Sequence, residues 1–151
     1  MVQASIDSLP WPVNLALALL GVGFVFGLLH RFLSGWGELA SAYRSRSSSR
    51  GTPVAWRWLE LGLSRLLGFP SLVSADRSGL YISAFPLLRP FNPPLFIPWA
   101  DLSFHEIRSH TSLPVRVRFR RAPTAYLVIS ERLTGSIALA AGGAFPGVAV
   151  A

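Results

Sequence analysis

Cysteine and lysine are both absent from the 151-residue sequence, and only 14% of its residues are charged. Without cysteine the chain has no disulfide, no thiol nucleophile, no iron–sulfur cluster and no cysteine-based zinc site. Without lysine all fourteen basic residues are arginine, so each positive side chain can make bidentate contacts to carboxylate or phosphate. About 25% charged residues is usual for a soluble domain, so the low charge argues against that class.

What the sequence does contain is a long apolar run. From Leu9 to Leu29 no residue carries a formal charge. A helix of that length spans roughly 30 Å, the thickness of the hydrocarbon core, so we predict a transmembrane helix over residues 9–33. A cleaved secretory signal would need a basic segment before the run and a small-residue cleavage site after it, and the sequence has neither.

The charges that flank this run predict its orientation. Asp7 is the only charged side chain before it, whereas five arginines and one glutamate follow it within residues 30–59. By the positive-inside rule we expect residues 1–8 to be extracytoplasmic and everything beyond residue 30 to lie in the cytoplasm.

Three glycines offer a packing face on the predicted membrane helix. They are Gly21, Gly23 and Gly27. The last two have the small-xxx-small spacing that lets a second helix approach closely in lipid. Since glycine is common in membrane helices, a background occurrence is the alternative.

Residues 34–53 are expected to form an interfacial segment and a linker. Their first part has apolar residues three or four apart, which predicts a short helix with one face toward the membrane or a partner. These residues are Trp36, Leu39, Ala40 and Tyr43. Three arginines then lie in a serine-rich stretch: Arg44, Arg46 and Arg50. They are placed to meet anionic headgroups, or they belong to a solvated linker that sets the topology.

Residues 54–142 have the pattern of a cytoplasmic β-rich domain. Alternation over residues 59–66 favours a strand, although residues 54–67 also fit an interfacial helix. Two strands are expected around a turn at residues 76–79, where Gly79 is placed for a positive φ.

The second half of this domain follows a rigid proline-rich loop. Extended structure is expected over residues 95–108, and the cleanest strand alternation falls in residues 115–120. Ser130 is expected to cap a helix over residues 131–142, and residues 143–151 to form a flexible tail. The predicted fold class is therefore an α+β membrane protein. One N-terminal transmembrane helix precedes a small antiparallel sheet or partial barrel that a C-terminal helix closes.

Three segments resemble a group of small bacterial single-pass membrane proteins. They are WGELASAY from Trp36, GLYIS from Gly79 and PPLFIPWADL from Pro93. The resemblance covers most of the chain after the helix and implies a bacterial inner-membrane location, but no reaction, because the group has no assigned activity. The group usually has histidine before the double proline, where this chain has Asn92. The element order is also similar to that of pleckstrin-homology-like domains.

The inventory of catalytic side chains is poor. The only local cluster of metal-ligand types is His105, Glu106 and His110, and in a strand the first two face opposite sides. Ser130 lacks a nearby histidine and a nucleophile elbow, so we interpret it as a helix cap. The sequence has no glycine-rich phosphate loop outside the apolar run. We therefore expect no enzyme activity, no metal and no cofactor.

The strongest remaining indication of function is a row of arginines. Arg116, Arg118 and Arg120 repeat every second residue, which sets their guanidinium groups about 7 Å apart along a strand, with Arg121 adjacent. Such a row can meet lipid phosphates or an acidic partner, or it is a solvated face that discourages aggregation. Phe96 and Trp99, beside rigid prolines, suit a docking surface, although a packed loop explains them as well.

Two functions follow from these patterns. In the first, the protein is a non-catalytic structural or accessory subunit of a larger inner-membrane assembly. In the second, it is a free membrane-tethered binding module whose arginine surface contacts anionic lipid or an acidic partner. The expected partners are membrane lipid and other membrane proteins. Nucleic acid is not expected because no reader motif is present, and a small-molecule substrate is not expected either.

Overall fold

A computed structural model describes residues 10–33, 35–46, 52–61, 69–107 and 114–149 of the chain. A long helix, α1 (Trp11–Leu33), is followed by a short one, α2 (Trp36–Tyr43). Gly35 immediately precedes α2 with φ of 74°, a left-handed conformation that glycine adopts without strain. The chain therefore begins a separate short helix here.

Eight strands and a third helix form the rest of the described chain. In chain order they are β1 (Thr52–Leu61), β2 (Phe69–Ala75), β3 (Gly79–Ala84), β4 (Leu95–Pro98), β5 (Leu102–Glu106), β6 (Val115–Phe119), β7 (Ala122–Ile129), α3 (Glu131–Ala141) and β8 (Val148–Ala149).

The strands hydrogen bond in the order β4-β3-β2-β1-β7-β6-β5-β8. Strand β1 divides this array into two small sheets, because residues 52–59 pair with β2 while Glu60 and Leu61 pair with β7. All neighbours are antiparallel except β5 and β8. The predicted α+β class with antiparallel pairing is confirmed, and the described strands do not close into a barrel.

Residues 54–67 were open to two interpretations, strand or interfacial helix, and β1 decides between them as far as Leu61. The strand interpretation is confirmed for that part. Residues 62–67 lie outside the described chain.

The turn between β2 and β3 lies where it was expected, but its glycine serves another purpose. The Asp76 carboxylate accepts hydrogen bonds from the backbone amides of Ser78 and Gly79, at 2.8 and 3.2 Å. The prediction of a positive φ at Gly79 is wrong. Instead, a Cβ there would collide with the carbonyl oxygen of Ile97 on the paired strand β4, so this position needs glycine for close backbone approach.

The proline-rich loop contains a 3₁₀ turn at Pro86–Leu88. Asn92 is buried beside it and donates from Nδ2 to the Leu88 carbonyl at 3.1 Å, which gives this asparagine a structural part in the loop. A second 3₁₀ turn, Trp99–Asp101, interrupts the extended segment predicted over residues 95–108.

Both short helices pack on the sheets around one hydrophobic core. Helix α2 contacts β4 and β7, and α3 contacts β1 and β2. As predicted, the Ser130 hydroxyl caps α3 by accepting from the Leu133 amide at 3.3 Å, and Gly142 ends the helix in the left-handed conformation.

The segment after α3, which we predicted to be a flexible tail from residue 143, has structure as far as residue 149. The Phe145 ring lies 4.7 Å from the Phe104 ring, centroid to centroid, and 6.0 Å from Trp99. Strand β8 then adds to the edge of β5. These aromatic contacts join the segment to residues distant in sequence, and the local composition gave no indication of them.

Candidate membrane helix and arginine surface

Helix α1 is the one described helix long and apolar enough to cross a membrane. Its apolar window runs from Trp11 to Leu29, with a mean hydropathy of 2.1, and is only 6% buried by the rest of the chain. At 1.5 Å per residue this window is about 28 Å long, close to the hydrocarbon thickness of a bilayer. A core helix of a soluble domain would be largely covered, and α1 is not.

The three glycines of α1 differ in their surroundings. A Cβ at Gly21 or Gly23 would meet nothing within 4 Å, so that part of the helix is open to close approach. A Cβ at Gly27 would lie 2.6 Å from Cδ2 of Phe91, because this ring from the proline-rich loop covers the glycine. The third predicted packing position is therefore occupied by the protein's own domain.

Helix α2 turns its apolar face inward. The side chains predicted to face membrane or partner, Trp36, Leu39, Ala40 and Tyr43, are all buried in the core of the β domain. The Trp36 indole donates from Nε1 to the Pro93 carbonyl at 3.2 Å. Its assignment as a lipid or interface contact does not fit this position, because the face that periodicity detects is used by the domain itself.

The linker arginines stand outside the core. Arg44 and Arg46 are exposed, and the backbone of Arg44 bridges to Leu95. The neighbouring Ser45 amide donates to the Pro94 carbonyl at 2.8 Å. The backbone that carries both arginines is thus attached to the proline-rich loop. Arg50 lies outside the described residues.

Phe96 and Trp99 belong to packed structure. The Phe96 ring is half-buried, 4.7 Å from that of Tyr81. Trp99 is buried and donates from Nε1 to the Asp76 carbonyl at 2.9 Å. These contacts fit the packed-loop alternative better than a free docking surface.

Strand β6 confirms the predicted alternation over its length. Its apolar side chains, Val115, Val117 and Phe119, are buried. On the other face Arg118 is exposed, and the Arg116 guanidinium lies 5.2 Å from the centre of the Tyr126 ring. This cation–π contact fixes one arginine of the row against the sheet.

The row does not continue to Arg120. The register shifts after Arg118, so β6 ends at Phe119 and the next two residues form the turn to β7. Arg121 in that turn binds Asp101 through Nε at 2.8 Å. This hydrogen bond to the carboxylate is the main cause that raises the pKa of Arg121 above its usual value. The even spacing predicted for three arginines holds for Arg116 and Arg118 alone.

The structure describes two of the three residues in the local cluster of metal-ligand types. His105 and Glu106 are consecutive on β5, and His110 lies outside the described residues. Within the described part of the chain no group of three or more histidine, aspartate or glutamate side chains could hold a metal ion.

Sequence reasoning missed one surface, the loop over residues 85–91, which it treated only as a rigid connection. Phe85 and Leu87 expose their apolar side chains in this loop, and Phe91 packs on α1. A pair of exposed large apolar residues among prolines was the available indication.

Comparison with known proteins adds no relative. No family model matches this chain, and no curated protein and no solved structure is significantly similar to it. The resemblance to bacterial single-pass membrane proteins therefore stays a prediction.

Proposed function

We propose that this chain is a non-catalytic single-pass protein of the bacterial inner membrane. In this proposal it is a structural or accessory subunit that contributes one helix and one cytoplasmic β domain to a larger assembly. The observation that carries the proposal is the uncovered apolar surface of α1, whose window from Trp11 to Leu29 is 6% buried. In water such a surface would drive aggregation, whereas lipid and neighbouring membrane helices would cover it.

The orientation belongs to the same proposal. The arginines that follow α1 favour a cytoplasmic domain by the positive-inside rule. Protease added to intact spheroplasts should leave the β domain whole, and protease added to inverted vesicles should degrade it. Degradation in intact spheroplasts would contradict this orientation.

The open glycines support association with another helix. Because a Cβ at Gly21 or Gly23 meets nothing within 4 Å in the described part of the chain, a larger residue there should leave this protein's own fold unchanged. Gly23→Leu should therefore abolish comigration with a larger complex after purification in mild detergent. Val22→Leu, a neighbouring exposed position, is the matched control. If the unmodified protein itself purifies in mild detergent as a lone small species, the subunit proposal is rejected.

A second candidate is a tethered binding module of the pleckstrin-homology-like kind. It is favoured by Arg116 and Arg118, which project from one face of β6. A fluorophore on Ser103→Cys, which is exposed and opposite Arg118, would report contact with vesicles containing phosphatidylglycerol. Contact should weaken as salt rises, and Gln at positions 116, 118 and 120 should weaken it more at low than at high salt. An unchanged signal at every ionic strength would reject this function.

A further inference from the structure

The loop between β3 and β4 contacts α1 inside its apolar window. The Phe91 ring meets the Phe24 ring edge to face, with centroids 4.9 Å apart, and covers Gly27. Phe24 and Gly27 lie five and two residues before Leu29, where the window ends. At 1.5 Å per residue these positions are about 8 and 3 Å inside that end.

The same loop presents apolar side chains outward. Leu87 is 68% exposed and Phe85 is 45% exposed. The other large apolar side chains exposed in the described chain beyond α1 are Leu139 and Val148, on α3 and β8. The loop therefore concentrates exposed apolar surface at the point where the domain meets α1.

We propose that residues 85–91 insert into the cytoplasmic boundary of the bilayer and form a second membrane contact beside α1. This inference rests on the proposed membrane span, because the loop reaches lipid only if α1 is embedded. The Phe24 level on α1, about 8 Å inside the end of the apolar window, falls within the depth of about 5–10 Å at which interfacial apolar segments are buried. Lipid is the occupant that this geometry favours, since the apolar window contacted by Phe91 would itself be surrounded by lipid.

The composition of the loop fits that boundary. Arg89 carries its one charge, and its Nε donates to the Ala84 carbonyl at 3.3 Å. A guanidinium held beside apolar side chains can contact headgroup phosphates while those apolar side chains enter the acyl region. Pro86 and Pro90 restrict the loop backbone, so little conformational freedom remains to be lost on insertion.

The consequence is a fixed orientation of the β domain relative to the membrane. Helix α1 and residues 85–91 would each contact the bilayer. With two contacts, the β domain would lie against the membrane surface and would not reorient freely about its linker. The exposed Arg44 and Arg46 would be held near the same surface, because their backbone is bonded to Pro94 and Leu95, which follow shortly after residues 85–91.

The absence of cysteine allows a direct test in the full chain. Leu87→Cys, Leu139→Cys and Val22→Cys are each labelled with an environment-sensitive fluorophore. The protein is reconstituted in phosphatidylcholine vesicles containing some phosphatidylglycerol, with nitroxide groups on the lipid acyl chains. Leu139 is the matched control, an exposed leucine on α3, and Val22 reports the span itself.

We expect the label at position 87 to be quenched at least about twofold more than the label at position 139, because in this proposal only position 87 reaches the lipid acyl chains. Quenching at position 87 should be strongest with shallow nitroxides, and at position 22 with deep ones. If the label at 22 is quenched while that at 87 behaves like 139, the loop inference is overturned and the span stands. If the label at 22 is not quenched, the proposed function fails, and this inference fails with it.

Discussion

The backbone amide of Arg121 donates a hydrogen bond to the Tyr43 hydroxyl at 2.9 Å, and its guanidinium lies 4.7 Å from the centre of the same tyrosine ring. Tyr43 is the last residue of α2, and Arg121 lies 78 positions later in the turn between β6 and β7. This contact joins α2, the short helix that follows α1, to the second sheet.

The hydroxyl of Tyr43 can be tested alone. Tyr43→Phe keeps the buried ring but leaves the part-buried amide of Arg121 without its acceptor, so we expect a loss of about 1 kcal/mol in the free energy of unfolding. Urea unfolding of the full chain in mild detergent, followed by circular dichroism, measures it. Tyr126→Phe is the control, because its ring under Arg116 is retained. Equal effects of both variants would show that the hydroxyl contributes nothing specific.

The burial of Trp36 predicts an effect on stability and not on membrane affinity. Trp36→Ala should lower the free energy of unfolding of the domain by about 3–5 kcal/mol, because a large core side chain is removed. Trp36→Phe should cost less but still lose the bond to Pro93. Trp11→Ala, at an exposed position of α1, should leave domain unfolding unchanged. A stable Trp36→Ala domain with weakened membrane association would restore the interfacial assignment.

Two glycine substitutions should have opposite signs. Gly79→Ala places a Cβ against the backbone of Ile97 and should destabilise the domain by about 1–3 kcal/mol, the range for an overpacked site. Gly135→Ala meets nothing within 4 Å on the exposed side of α3 and should stabilise it by about 0.5–1 kcal/mol, since alanine favours the helix. Thermal unfolding of both variants measures the signs. A harmless Gly79→Ala would mean that β3 and β4 do not approach as described.

The sequence patterns correctly predicted those elements that depend on residues close together in the chain. The alternation in β6, the apolar run of α1 and the Ser130 cap depend on neighbours within one or two turns, and each was found at the expected place. The α2 periodicity was also real, but a period cannot tell whether a face meets lipid or the chain's own core. Only the pairing of distant strands decides that.

Contacts distant in sequence were beyond prediction. The packing of Phe91 on Gly27 and of Phe145 on Phe104 joins residues whose separation along the chain carries no periodic pattern. The shift that moves Arg120 out of β6 depends on its pairing with β7. For the same reason the contact of the loop over residues 85–91 with α1 was not recognised.

The Asp76 turn predicts how stability depends on pH. Partial burial by itself would raise the pKa of Asp76, but hydrogen bonds from Ser78 and Gly79 to the carboxylate outweigh it, and the pKa lies below the usual value of 3.8. A depressed pKa in the folded state means that the ionised carboxylate stabilises the fold above the unfolded value. That contribution is lost as the pH falls through the folded value.

Asp76→Asn isolates this contribution from the other acids. The variant should be less stable than the unmodified protein near neutral pH. The difference should shrink as the pH falls from 3.8, where Asp76 of the unfolded chain takes up its proton, and vanish below the lower folded pKa, where the native carboxyl is neutral as well. Urea midpoints measured for both proteins across the acid range give the difference directly, since the remaining carboxylates titrate equally in both. Ser78→Ala removes the hydroxyl that donates to the Asp76 carboxylate. It should lower stability near neutral pH by less than Asp76→Asn does, and this loss should also shrink in acid. A gap that stays constant down to strong acid would mean that Asp76 is not held ionised by its turn.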